Sequence, residues 1–197
     1  MKLYYSPLSP FARKVLICAH ENGVLDRIAL VETNTLDEDL RRVNPLCKIP
    51  ALELDDGFAL YDSRVICEHL DAVGTGAMIP PGGHGRLRAR LLEALGDGIA
   101  DATLRRVMEL RRPEAERHAD VIERQSRAML AGLAEAQRVI DPQAFTLGEA
   151  AIMAALIYID TRLPQDEWRV RFPALAGWFN ESARRPSLPG TGAVQAS

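Results

Sequence analysis

The chain has 197 residues, 24 of them basic and 27 acidic, for a formal charge of −3. That length supports one or two domains with a real core, and the near-neutral balance excludes a general attraction to nucleic acid or to an anionic membrane surface. Hydrophobic residues make up 47%, yet no apolar run approaches the roughly 18 residues of a membrane span. The opening Met1-Lys2-Leu3-Tyr4-Tyr5-Ser6-Pro7 lacks the apolar core of a signal peptide, so a soluble cytoplasmic protein is expected. Cys18, Cys47 and Cys67 are odd in number and fit a reducing compartment better than a disulfide framework. None of His20, His69, His84 and His118 has metal-ligand spacing to another His or Cys, so no metal is expected.

Residues 1–75 alternate short apolar strands with helical stretches, the pattern of an α/β unit. Lys2–Tyr5 predicts a strand. Ser9-Pro10 then predicts a helix start, with the hydroxyl at the N-cap and proline in the first helical position. The helix should run to Glu21 and end at Asn22-Gly23. Free N–H groups and the helix dipole favour an anion beside Ser9. Residues 28–32 predict a second strand and 36–43 a polar, exposed helix. Pro50 precedes a third strand at 51–54, where the tertiary amide permits a cis bond. Residues 58–61 complete a hairpin across Asp55-Asp56-Gly57. From Ser63 to Ala72 the spacing is helical, with Val65, Ile66, His69 and Leu70 on one face. Asp62-Ser63 is a good cap for that helix.

Residues 74–85 are rich in glycine and proline and separate two compositions. Beyond them the strand pattern disappears. Apolar spacing predicts a long helix over 86–111 and another from Pro113 to Val139. Thr146 and Glu149 have capping-box spacing. Residues 150–159 are apolar on all sides, so they should form the buried centre of a helical domain. A last helix is predicted from Pro173 to Arg184. The tail from Pro186 is expected to be mobile.

Ser9-Pro10-Phe11-Ala12-Arg13-Lys14-Val15 and Asn44-Pro45-Leu46-Cys47-Lys48-Ile49-Pro50-Ala51-Leu52 resemble segments of the glutathione S-transferase family. Three further pieces match its pattern: Leu60 to Leu70, the breaker-rich stretch Gly74 to Gly85, and Phe145 to Ala151. The resemblance implies a thioredoxin-like glutathione-binding domain over 1–75, a linker over 76–85, an all-helical domain over 86–185 and a tail over 186–197. It implies glutathione as substrate or cofactor and transfer to a small electrophile. Ser9 would donate a hydrogen bond to the thiolate, with Ser6 and Tyr5 as rivals. The Ile49 backbone would pair with the cysteinyl part across a cis Pro50, and Lys48 would reach the glycyl carboxylate. Asp62 and Ser63 would hold the γ-glutamyl end. Leu8, Phe11, Asp97, Asp101 and Arg105 would line the second-substrate pocket.

Cysteine-bearing relatives place a thiol where Ser9 stands, so dithiol exchange at that position is excluded. Cys47 stands where the family usually has glycine, and is either a reactive thiol beside the ligand or a structural cysteine. A homodimer is implied, in which Asp97 or Asp101 would complete the partner's γ-glutamyl site. Surplus apolar positions on the helices near Arg86 and Pro113 point the same way. A glutathione-dependent isomerase, and a non-catalytic binding or regulatory protein on the same fold, are the alternatives.

Overall fold

Two apolar residues in a row, Leu3 and Tyr4, mark a strand buried on both faces, and this strand is central. In the computed structural model, which describes residues 1–188, β1 (Lys2–Tyr5) lies between β2 (Ala29–Glu32) and β3 (Ala51–Glu53). It pairs parallel with β2 and antiparallel with β3. β4 (Ala59–Leu60) closes the hairpin, giving the order β2-β1-β3-β4. The parallel pair requires a crossover, supplied by α1 (Pro10–Glu21).

Helix α1 has no solvated side: every residue from Ala12 to Ala19 is buried. It packs against α3 (Ser63–Val73) on one side and α6 (Leu147–Arg162) on the other. On α3 the buried face is Ser63, Ile66, Cys67 and Leu70; Val65, expected to share it, is 47% exposed. The helix expected over 36–43 begins later, as α2 (Glu38–Val43), because Asp37 accepts a capping hydrogen bond from Asp39 N.

The expected linker is tethered at several points. Asn22 Oδ1 accepts from Ala77 N at 3.1 Å, and Asp71 Oδ1 accepts from Met78 N and Ile79 N at 2.8 and 3.2 Å. The following helix, α4 (Gly83–Leu110), starts three residues before its predicted start, inside the glycine-rich stretch. Helix α5 (Ala119–Val139) starts six residues later than expected from Pro113, because residues 114–116 form a separate 3₁₀ turn.

Helix α6 is buried at every residue from Leu147 to Ile159, as its uniform apolarity requires. Each buried Leu or Ile there contributes about 1.5–3 kcal/mol. Gly96 and Gly148 let α4 and α6 touch: a Cβ on Gly96 would stand 2.5 Å from the Ala151 carbonyl carbon. At the α6 start Thr146 N donates to Glu149 Oε2 at 2.9 Å, completing a capping box. The fully buried Glu149 also receives Arg88 Nη1 at 2.9 Å.

A short helix α7 (Trp168–Arg171), absent from the sequence reading, precedes α8 (Pro173–Ser182). The expected mobile tail is corrected at its start. Ser187 and Leu188 are buried, because Ser187 and Arg185 both bond Glu21 on α1. Residues 189–197, the rest of that tail, lie outside the described residues. No helix among the described residues is long and apolar enough to cross a membrane.

Candidate functional site

A cavity of about 300 Å³ opens where the α/β half meets α4. The loop before β3 supplies Lys48, Ile49 and Pro50, and the start of α3 supplies Asp62, Ser63 and Arg64. Phe11 comes from α1, and Ala94, Asp97, Gly98 and Asp101 come from α4. The volume falls at the lower end of ordinary small-ligand sites.

The loop is shaped by a buried asparagine. Asn44 Nδ2 donates to the Lys48 carbonyl at 2.8 Å, and its Oδ1 accepts from Leu46 N at 3.1 Å. Between them Cys47 takes a φ of 49°, the left-handed region that suits the glycine expected at this place. The Ile49–Pro50 bond is cis, as is Tyr61–Asp62. Asp62 caps α3, its Oδ1 accepting from Arg64 N at 3.0 Å, and Ser63 is 3% exposed.

Ser9 is the N-cap of α1, and its Oγ accepts from Ala12 N at 3.2 Å. Acceptance uses a lone pair and leaves the hydroxyl proton for another partner. The loop carrying Ser9 is pinned by Arg13, whose Nη2 donates to the Pro7 carbonyl at 2.7 Å. Burial pulls the Arg13 guanidinium down to about 10.

Of the residues singled out from sequence, Phe11, Lys48, Ile49, Pro50, Asp62, Ser63, Asp97 and Asp101 line this one cavity. Ser9, Leu8 and Arg105 are not among its lining residues. Leu8 is 48% exposed, and Arg105 is turned to an ion pair with Asp101 at 2.8 Å. Asp97 is neither solvated nor unpaired: it is 7% exposed and bonded within its own chain.

Sequence reasoning missed Arg64 and Lys14. Lys14 Nζ is buried and bonds Glu93 at 2.9 Å and both oxygens of Asp97 at 2.8 and 2.9 Å. Burial opposes its charge, while the Asp97 and Glu93 carboxylates around it favour the ammonium and raise its pKa. Arg64 Nε reaches the same Asp97 at 3.0 Å, which raises the guanidinium pKa further. Arg90 joins by bonding Glu93 Oε2 at 2.8 Å. No spacing signal in one helix reveals a cluster assembled from three.

The family model for the glutathione S-transferase N-terminal domain matches residues 8–73. The chain is 32% identical to the uncharacterized GST-like protein YibF of Escherichia coli K12, over 97% of this chain and 98% of that one. A glutathione transferase family member from Pseudomonas fluorescens Pf-5, solved with glutathione bound, is 38% identical. It superposes with a TM-score of 0.92, covering 96% of this chain and 97% of its own. A stringent starvation protein A homolog of Coxiella burnetii matches more locally, 41% identical over 71 residues, 36% of this chain and 34% of that one. With a thioredoxin-like sheet, a helical second half, and near-complete coverage of the YibF and Pseudomonas relatives, the chain belongs to the glutathione S-transferase family.

Proposed function

We propose that the cavity binds glutathione and that the chain activates its thiol for attack on a small, apolar electrophile. The observation that carries this is the convergence of Lys48, Ile49, Asp62, Ser63, Asp97 and Asp101 on a single cavity. Glutathione has a zwitterionic γ-glutamyl end and a carboxylate at the other. The α3 start with Arg64 and the α4 acids offer both charges to the first, and Lys48 offers a cation to the second. The Pseudomonas relative, with glutathione bound, supports the same ligand here. In this reading Ser9 donates its hydroxyl proton to the thiolate, aided by the α1 start. Leu8, Phe11 and Arg105 stand on the electrophile's side.

The protein works in the cytoplasm as a homodimer. Leu87 and Leu91 on α4 are 69% and 71% exposed, and Val65, 47% exposed, lines a groove of about 630 Å³ between α3 and α4. These are apolar surfaces that a second copy would cover.

A second reading is a non-catalytic member that binds without turnover. Ser9 already serves as a helix cap and lies outside the cavity lining, and a stringent starvation protein A homolog is among the relatives. Calorimetry with glutathione, followed by turnover of a generic aryl halide, separates the two. Binding with turnover is expected. Binding without turnover favours the second reading, and no binding overturns both.

A further inference from the structure

Lys14 sits one turn into α1, the helix that Ser9 opens, yet its side chain is 1% exposed. It reaches across the seam between the two halves to α4, where it holds both oxygens of Asp97 and one of Glu93. Arg64 from α3 takes Asp97 Oδ2 as well. A carboxylate has roughly four lone-pair directions. The Lys14 and Arg64 contacts occupy three of them, and Asp97 also lines the cavity beside Asp62 and Ser63.

Stability alone is a poor reason for such a cluster, since well-packed apolar residues often replace a buried ion pair at no loss. Lys14, Arg64 and Arg90 face Glu93, Asp97 and Glu68, so three cations of the cluster meet three acids. A zwitterionic ligand end enters without unbalancing them. Unclamped, Asp97 would be drawn wholly onto Arg64, closing a bidentate pair and removing both groups from the cavity.

We propose that Lys14 is a positioning residue for ligand recognition. By holding Asp97 across the seam, it keeps one acceptor site of that carboxylate turned to the α-ammonium of the γ-glutamyl end. It also leaves the outer nitrogens of Arg64 free for the neighbouring α-carboxylate. This rests on the reading of the cavity as a glutathione site.

The test is calorimetry at neutral pH with two ligands: glutathione, and its analogue lacking the α-amino group. Lys14→Met should weaken glutathione by about tenfold or more, the loss of one charge-assisted hydrogen bond. It should change the analogue by less than about threefold, because that ligand brings no ammonium for Asp97 to hold. A merely structural lysine would cost both ligands equally; equal losses, or none, overturn the proposal. If Lys14→Met does not fold, Lys14→Met/Glu93→Gln removes one charge of each sign and keeps the cluster neutral. The same selective loss is then expected, and its absence is equally fatal. Failure of the unaltered protein to bind glutathione overturns the site reading and this inference together. Intact binding with unselective losses overturns the inference alone.

Discussion

Replacing Ser9 by alanine separates two uses of one oxygen. The cap is a lone-pair interaction with Ala12 N at 3.2 Å, and its loss costs about 1 kcal/mol of stability. Support of a thiolate would use the hydroxyl proton, and a hydrogen bond to a charged group is worth about 1.5–3 kcal/mol. At about 1.36 kcal/mol per pH unit, that corresponds to a rise of roughly 1–2 units in the bound thiol pKa. The backbone N–H groups of α1 remain, so the shift should not exceed this. Turnover below the thiol pKa should then fall about ten- to a hundredfold, with glutathione affinity nearly unchanged. Ser9→Asp is the discriminating companion: its carboxylate still caps the helix but brings no proton and adds a like charge beside the thiolate. It should keep the melting temperature and lose the thiol shift. Ultraviolet thiolate absorbance against pH reads one effect, and thermal unfolding reads the other. An unchanged thiol pKa in Ser9→Ala would leave Ser9 as a cap only and move the search to Ser6 or Tyr5.

Gly96→Ala should destabilise the fold by about 1–3 kcal/mol, because the added carbon meets the Ala151 and Ile152 backbone at 2.5 and 2.6 Å. Gly177→Ala, with nothing within 4 Å, should instead gain up to about 1 kcal/mol; equal melting shifts would refute the close-crossing argument. Glu21 has its carboxyl pKa lowered, first by the hydrogen bonds from Arg185, with Ser187 adding to them. Its stabilising effect is therefore complete above the unfolded value near 4.5 and is lost as pH falls through the lower folded value. The exchange protection of the Leu188 amide, which donates to the Arg185 carbonyl, should fall relative to its intrinsic rate over that acidic window, and Glu21→Gln should abolish this fall; an identical loss of protection in the variant would disprove the linkage.

Local chemistry made much of the fold legible. Ser9-Pro10 and Asn22-Gly23 bracket α1 at the positions where the helix starts and stops, since a cap and a C-terminal glycine act within a turn of themselves. The uniform apolarity of residues 150–159 could only be a buried helix, and α6 is one. Where local rules compete, boundaries moved. Glycines 82, 83 and 85 read as breakers, yet α4 starts among them, and Gly83 takes a positive φ of 63° at that start. Pro113 read as a helix start but introduces a single turn, and α5 waits until Ala119. Val65 follows helical spacing with Ile66 and Leu70, but periodicity does not say which side of a short helix the sheet will cover.

The cavity was legible for a different reason: its α/β wall comes from two short contiguous stretches, each with backbone requirements that show in sequence. The electrostatic half was not. Arg13-Lys14 on an amphipathic helix is normally a solvated edge, and only the docking of α6 and α4 onto α1 turns that edge inward. Once it is inward, an isolated ammonium would be untenable, and the two α4 acids one turn apart, Glu93 and Asp97, are its solution. Their partner from α3, Arg64, borders the cavity on one side and the α3–α4 groove on the other. The charge that borders the cavity in this fold is thus set by how the two halves of the chain close on each other, and a linear reading can name the members of such a cluster only after it knows which helices meet.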